Sequence, residues 1–316
     1  MKKLTFIVLV FLSVSVQGQK NFDFRYWEDS LVRLRENVMS APREVERYSL
    51  NEDFMNLLDF VLNQKNAFKH PWDSTKNFSV LTSPDKLFKI FTWFVPKDDN
   101  TVENFGFIHV YNEGRKKYIL YPLVDKRNVI DYPRTNIGNH NKWYGAVYYK
   151  MVMLKAKTKN YYTLLGWNGN DMFTNQKVIE VLSFKQDGSP VFGANVFKKY
   201  PEKSNRIIFD YAKNSVFSLK YENQSYDVST GRRDPKTHKV IYETHTSDMI
   251  IFDLLAPLDD AMGDIPSFMV PESSINQGFV EDNGKWMFIN NVKGRNPDKE
   301  MPSHKPQPRE YYHSGN

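Results

Sequence analysis

The hydrophobic period of this chain changes near residue 77. Before that point, Trp27, Leu31, Leu34 and Val38 recur at steps of four, three and four, which gathers them on one face of a helix that Pro42 closes. Leu50, Phe54, Leu57, Leu58, Val61 and Leu62 repeat the pattern. Ser49-Leu50-Asn51-Glu52 reads as a capping box, in which Ser49 and Glu52 each satisfy an end amide, so the second helix is predicted to begin there and to stop at Pro71. Two amphipathic helices this close in sequence are expected to pack on each other or on a sheet.

Beyond residue 77 the period is that of strands. Phe217, Leu219 and Tyr221 alternate with Ser218 and Lys220, the pattern of a half-buried strand. Residues 146–154, 161–167 and 286–289 are apolar on both faces and belong in the middle of the structure. Asn112-Glu113-Gly114, Gln186-Asp187-Gly188 and Asp282-Asn283-Gly284 are turn signals between such runs. On the order of a dozen strands joined by short turns predict antiparallel meander pairing. The expected fold is mainly β with a small α part: an N-terminal amphipathic helix pair packed on an antiparallel meander, as an irregular sandwich or curved sheet. Ile207-Ile208-Phe209-Asp210 recurs as Ile250-Ile251-Phe252-Asp253, an offset close to that of propeller blades, so a partial propeller is the alternative.

Composition sharpens this picture. The chain has 23 Phe, 18 Tyr and 6 Trp, an enrichment that favours pleated sheet over helix. Its first residues have the three parts of a secretory signal peptide. Lys2 and Lys3 form a basic start, residues 4–16 are an apolar stretch too short for a permanent span, and Val16-Gln17-Gly18 offers a cleavage site after Gly18. The expected organisation is a signal peptide over 1–18, a helical segment over 19–76, a β-rich domain over 77–292 and a disordered tail over 293–316, the last rich in Pro, Lys and polar residues. No later segment is apolar for long enough to predict a transmembrane helix.

Cysteine is absent, which removes disulfides, thiolate catalysis, Cys-ligated metals and a lipid-modified amino-terminal cysteine. Export without disulfides fits a bacterial envelope better than eukaryotic secretion. Loss of Lys2 and Lys3 with the leader takes two off the formal charge of +6. The remainder is spread along the chain, without the basic stripe that nucleic-acid binding needs.

The densest polar-aromatic segments are Trp143-Tyr144-Gly145 and Leu164-Leu165-Gly166-Trp167-Asn168-Gly169-Asn170-Asp171. Trp143, Tyr144 and Trp167 are candidate stacking surfaces for sugar rings, with Asn168, Asn170 and Asp171 bonding hydroxyls. Sheet core is the competing account of the rings, and a tight turn that of the Asn-Gly-Asn-Asp loop, which lacks the alternating acids of a calcium loop. The seven histidines form no His-Glu-x-x-His, and no Gly-x-Ser-x-Gly, Ser-x-x-Lys or phosphate-binding glycine loop occurs. No cofactor and no metal site are expected, and catalytic residues are not identifiable.

Leu87-Phe-Lys-Ile-Phe-Thr-Trp93, Trp143-Tyr-Gly-Ala-Val-Tyr-Tyr149, the segment from Tyr161 to Asn170, Pro190-Val-Phe-Gly193 and Gly284-Lys-Trp286 occur here in one order. In this the chain resembles a family of exported proteins of Bacteroidota with no assigned activity. The resemblance covers much of residues 85–290 and implies a Gram-negative envelope, with the periplasm as the compartment and the cell exterior as the alternative. The expected function is that of a non-enzymatic binding or accessory protein whose partner is an envelope protein or a glycan. A glycan hydrolase with concealed carboxylates and an assembly component docking through the N-terminal helices are the alternatives.

Overall fold

A computed structural model of the chain describes residues 22–112, 114–263 and 265–293. The expected signal peptide lies outside the described residues, as does the tail from residue 294 onward.

Helix α1 (Phe24–Ser40) is capped by Asp23, whose side chain accepts from the Tyr26 amide at 3.1 Å. It ends where Ala41 turns extended ahead of Pro42, the conformation a residue before proline is driven into. Helix α2 (Glu44–Leu62) begins ahead of the expected capping box, so Ser49 and Glu52 are interior residues. Glu44 and Glu46 occupy its first turn, where carboxylates favour the positive end of the helix dipole. It also stops well short of Pro71. The apolar repeat gives out after Leu62, and Asn66, with a left-handed φ of 71°, redirects the chain into a 3-10 turn over Ala67–Lys69.

Three sheets follow, antiparallel apart from one short pairing in the third. Sheet I joins β1 (Ser79–Thr82), β2 (Phe88–Pro96), β3 (Val102–Asn112) and β4 (Lys117–Val124) as a simple meander. Sheet II runs β5 (Gly138–Asn139), β9 (Pro190–Phe192), β8 (Thr174–Phe184), β7 (Asn160–Asn168), β6 (Val147–Lys155), with β11 (Ile207–Ala212) sharing the outer edge of β8. Sheet III contains β12 (Leu219–Arg233), β13 (Val240–Pro257), β14 (Met269–Asp282) and β15 (Lys285–Lys293), and the short β10 (Phe197–Lys198) lies parallel to β15. The three expected turn signals each link paired neighbours: β3 to β4, β8 to β9 and β14 to β15.

The layers are stacked through three apolar clusters. Leu31, Phe54, Leu58 and Val61 of the helices cover Phe91, Trp93 and Phe107 of sheet I. On the other side of sheet I, Phe88, Ile90 and Ile108 meet Tyr148, Leu164 and Val178 of sheet II. Sheet II then packs Val152, Ile179 and Phe209 against Phe252, Phe279 and Trp286 of sheet III. Strands β2 and β7 are apolar on both faces because each belongs to a sheet covered on both sides. The stacking also disposes of the propeller alternative. The two Ile-Ile-Phe-Asp runs sit in β11 and β13 and face one another between sheets II and III, their phenyl centroids 4.6 Å apart.

Arginines pin the helices to sheet I. Arg35, buried on the inner face of α1, donates to the Asn77 carbonyl at 3.2 Å and the Phe94 carbonyl at 2.9 Å, and burial lowers its pKa to about 10. Arg47 of α2 donates to the Pro96 carbonyl at 2.8 Å.

Candidate functional site

The row of side chains that sheet I turns toward the helices pairs Trp93 with Phe105, Phe91 with Phe107 and Lys89 with His109. Its aromatic part lies under α2. Its basic end lies beyond the last turn of that helix, where the 3-10 turn over Ala67–Lys69 covers it incompletely.

A cavity of about 370 Å3 remains there, with Leu62, Phe68, Tyr118, Leu120 and His109 in its lining. Phe68 stacks on Tyr118 with centroids 4.6 Å apart, and the His109 ring meets them at 5.6 and 5.0 Å. Lys65, Lys69 and Lys117 are exposed around it, and its described lining includes no carboxylate. The potential in the opening is therefore positive over an aromatic floor.

His109 is only 3% exposed, yet its Nδ1 has no hydrogen-bond partner. It is one of seven buried side-chain polar atoms without a partner among the described residues, each worth about 1–3 kcal/mol if nothing satisfies it, and the only one of the seven whose residue lines this cavity. Burial, and after it the charge of Lys89, push the imidazole pKa down to about 4, so the ring is neutral at pH 7 and can donate from one nitrogen and accept at the other. Lys89 is itself buried, which lowers its pKa, and its Nζ donates to the His70 carbonyl at 2.6 Å. Behind it, His70 Nε2 lies 2.6 Å from Glu28 Oε2, while Glu28 Oε1 accepts from the Ser74 amide at 2.9 Å. This second layer fixes the segment after α2, and with it the cavity wall.

The segments singled out in sequence are built differently from the open stacking surface expected of them. Trp143 is wholly buried, and its Nε1 donates to the Tyr148 hydroxyl at 2.8 Å. Tyr144 is buried beneath the Arg206 guanidinium, donates to Gln176 Oε1 at 2.8 Å, and has its pKa pushed up to about 12, chiefly by burial. Neither ring has a free face. Trp167 is half-buried against Phe94, at 5.4 Å between centroids.

Asn168 is fully buried and bridges the Gly145 carbonyl, the Arg127 guanidinium and the Asn170 amide. Asp171 caps its own turn by accepting from the Phe173 and Thr174 amides at 2.8 and 2.7 Å. The carbonyls of Gly169 and Asp171, which a cation would have needed, both receive Lys213 Nζ, at 2.7 and 2.8 Å. The loop is a hydrogen-bonded turn, as its Asn and Gly content also allows. Among the described residues no group of three or more His, Asp or Glu is placed to hold a metal ion.

A second cavity, about 340 Å3, opens between sheets II and III and is lined in part by Arg134, Asp210 and Asp253. Asp210 pairs with Arg134 at 3.0 Å and accepts from Gln176 at 2.6 Å. Asp253 accepts from the Ser218 amide at 2.6 Å, and burial raises its pKa. Both carboxylates are thus engaged in holding strands together.

No known protein family, curated protein or solved structure matches this chain. Among the described residues, no helix is long and apolar enough to cross a membrane.

Proposed function

We propose that this chain is a non-catalytic binding protein of a Gram-negative envelope, exported to the periplasm, and that it takes a small organic anion into the cavity at His109. The observation that carries the reading is a cavity edged by lysines whose described lining has no carboxylate and includes His109, a residue with a buried, unpartnered Nδ1. The lining, with Leu62, Phe68, Tyr118 and Leu120, suits a ligand with a flat apolar body. Its anionic group is directed to Lys69 and Lys117, and one polar atom completes His109. Acidic sugars and aromatic carboxylates share this chemistry, whereas a neutral sugar would leave the lysines unused. The amino-terminal export pattern and the likeness to exported Bacteroidota proteins support the compartment.

A hydrolase is less well supported, because Asp210 and Asp253 are each committed to hydrogen bonds within the fold. Docking through the helix pair is also less well supported, since its principal apolar face is already covered by sheet I.

The test is thermal stabilisation by galacturonate and by 4-hydroxybenzoate, with galactose and phenol as neutral counterparts, because a ligand of the folded state raises its apparent stability. The anions are expected to stabilise the chain, and Lys69→Ala and Lys117→Ala to weaken binding by roughly two- to fivefold each. Equal shifts with the neutral counterparts, or full binding by a Lys69→Ala, Lys117→Ala, His109→Phe triple variant, would overturn the reading. The compartment is tested separately, by fractionation and by the intact mass of the recovered chain, which should begin at residue 19.

A further inference from the structure

Three arginines are buried among the described residues, and their partners differ. Arg47 pairs with Asp98, and Arg206 with Glu180. Arg35, 0% exposed on the inner face of α1, has no acidic partner among the described residues. Its Nε donates to the Asn77 carbonyl at 3.2 Å, and its Nη2 to the Phe94 carbonyl at 2.9 Å and to Met39 Sδ at 3.7 Å. The Phe54 ring lies 5.4 Å from the guanidinium carbon. Nη1 is buried and has no partner. Buried charges are ordinarily paired, because desolvation costs more than neutral acceptors return.

The residues that hold Arg35 share a second neighbour. Met39, Asn77 and Phe94 all line a pocket of about 260 Å3 where the end of α1 meets β1, β2 and β6. Phe78, Trp93 and Val147 give it an apolar wall, and no lining residue is charged. Arg35 is not itself in the lining, but Met39 touches both the guanidinium and the pocket. Asn77 and Phe94 hold the arginine through main-chain oxygens, which the fold fixes. Met39 holds it through an unbranched side chain that is 38% exposed and free to swing aside. Its thioether is a weak acceptor. A carboxylate in place of the sulfur accepts from Nη2 and from the idle Nη1 together, the bidentate geometry that a guanidinium favours.

We propose that this pocket binds a monocarboxylate with a compact apolar body, which lies against Phe78, Trp93 and Val147 while its carboxylate displaces Met39 Sδ and pairs with Arg35. The site is independent of the cavity at His109. It uses one buried guanidinium in place of exposed lysines, and its apolar wall selects a hydrocarbon body over a sugar.

The experiment is thermal stabilisation of the full chain by hexanoate, with hexanol and hexylamine as counterparts. It is run in wild type and in the Lys69→Ala, Lys117→Ala, His109→Phe variant, which silences the other cavity. Hexanoate should stabilise both proteins, with an affinity at least about tenfold above that of either counterpart, because charge-assisted hydrogen bonds carry the difference. Met39→Glu tests the pairing from within. It sets a carboxylate one helical turn from Arg35, so the ligand-free variant should melt above Met39→Gln. Met39→Gln should keep the hexanoate response and Met39→Glu should lose it. Both are expected to fold, since the position is part-exposed. A hexanoate response confined to wild type would belong to the His109 cavity and overturn this site. No response to hexanoate, an equal response to hexanol, or a full response by Met39→Glu would also overturn it.

Discussion

Lys89 and His109 stand directly opposite each other on β2 and β3, two buried basic side chains forming a cross-strand pair next to the aromatic pairs Phe91–Phe107 and Trp93–Phe105. The groups facing His109 are Lys89 from β2, Tyr118 from β4 and Phe68 from the 3-10 turn, with Lys65 and Lys69 exposed nearby. None of these described neighbours is acidic, so none of them stabilises an imidazolium. The ordinary histidine pKa of 6.5 falls to about 4 in the fold. Between those values the unfolded chain binds a proton that the native chain refuses. Stability linked to His109 is therefore complete above pH 6.5, is lost progressively as pH falls toward 4, and amounts to roughly 3 kcal/mol at most. His109→Gln should remove that part of the pH dependence. Urea unfolding of both proteins at pH 7.5 and pH 4.5 measures it, and identical slopes would refute the assignment.

Gly145 is required by its neighbour. A Cβ at this position would overlap the carboxylate of Asp125. That carboxylate is not free to move, because it accepts from the Asn104 amide and side chain at 3.2 and 3.0 Å and from the Arg127 amide at 3.1 Å. Gly145→Ala is expected to destabilise by about 1–3 kcal/mol, the usual range for overpacking a closed site. Asp125→Ala in the same chain should recover part of the loss, and a denaturation midpoint series reads both.

Asn168 separates a structural from a ligand-binding account of its loop. Asn168→Ala strips partners from the Gly145 carbonyl, the Arg127 guanidinium and the Asn170 amide. A loss of roughly 2–4 kcal/mol in stability is expected, at the upper end for one buried amide because several groups are orphaned. Affinity for the anions tested at His109 should not change. If Asn168→Ala and Trp167→Ala kept full stability but lost a ligand, the stacking-surface reading of this segment would return.

How much of this was legible in sequence depends on the range of the forces involved. Local periodicity located α1, most of α2 and the strands, because Leu31, Val38, Leu58 and the apolar runs of β6 and β7 are set by what each element buries. The start of α2 was misplaced. Ser49 and Glu52 match a capping box, but a helix already under way from Glu44 makes their amides interior. Trp143 and Trp167 were ambiguous because exposure is a property of the stacked sheets and not of the residue type. The cavity at His109 left one readable trace: Lys89 and His109 are basic residues inside the largely apolar runs 88–95 and 105–111. What a local pattern cannot reveal is that the two residues pair with each other beyond the end of a helix. Likewise, the repeated Ile-Ile-Phe-Asp suggested blades, whereas its phenylalanines meet across two sheets.

Glu180 and Arg206 form the most deeply buried ion pair among the described residues, at 0% and 1% side-chain exposure. Arg206 also donates to the Pro133 carbonyl at 2.6 Å, and Glu180 Oε1 accepts from the Val181 amide at 2.9 Å. Burial raises the Glu180 pKa, while the Arg206 charge and its hydrogen bond pull it down. Removing the arginine leaves the desolvation unopposed, so Arg206→Met should cost about 3–5 kcal/mol at pH 7. Glu180→Met leaves the buried guanidinium uncompensated and should cost a similar amount. The double replacement should cost much less than the two together, since both charges leave a site that two methionines can fill. The pH dependence separates this from simple cavity formation. In Arg206→Met the carboxyl titrates above its unfolded value, so the native state binds the extra proton, and the deficit relative to wild type shrinks as pH falls from 7 toward 4.5. A deficit that stays constant over that range, or two losses that merely add, would show that the pair contributes through packing alone.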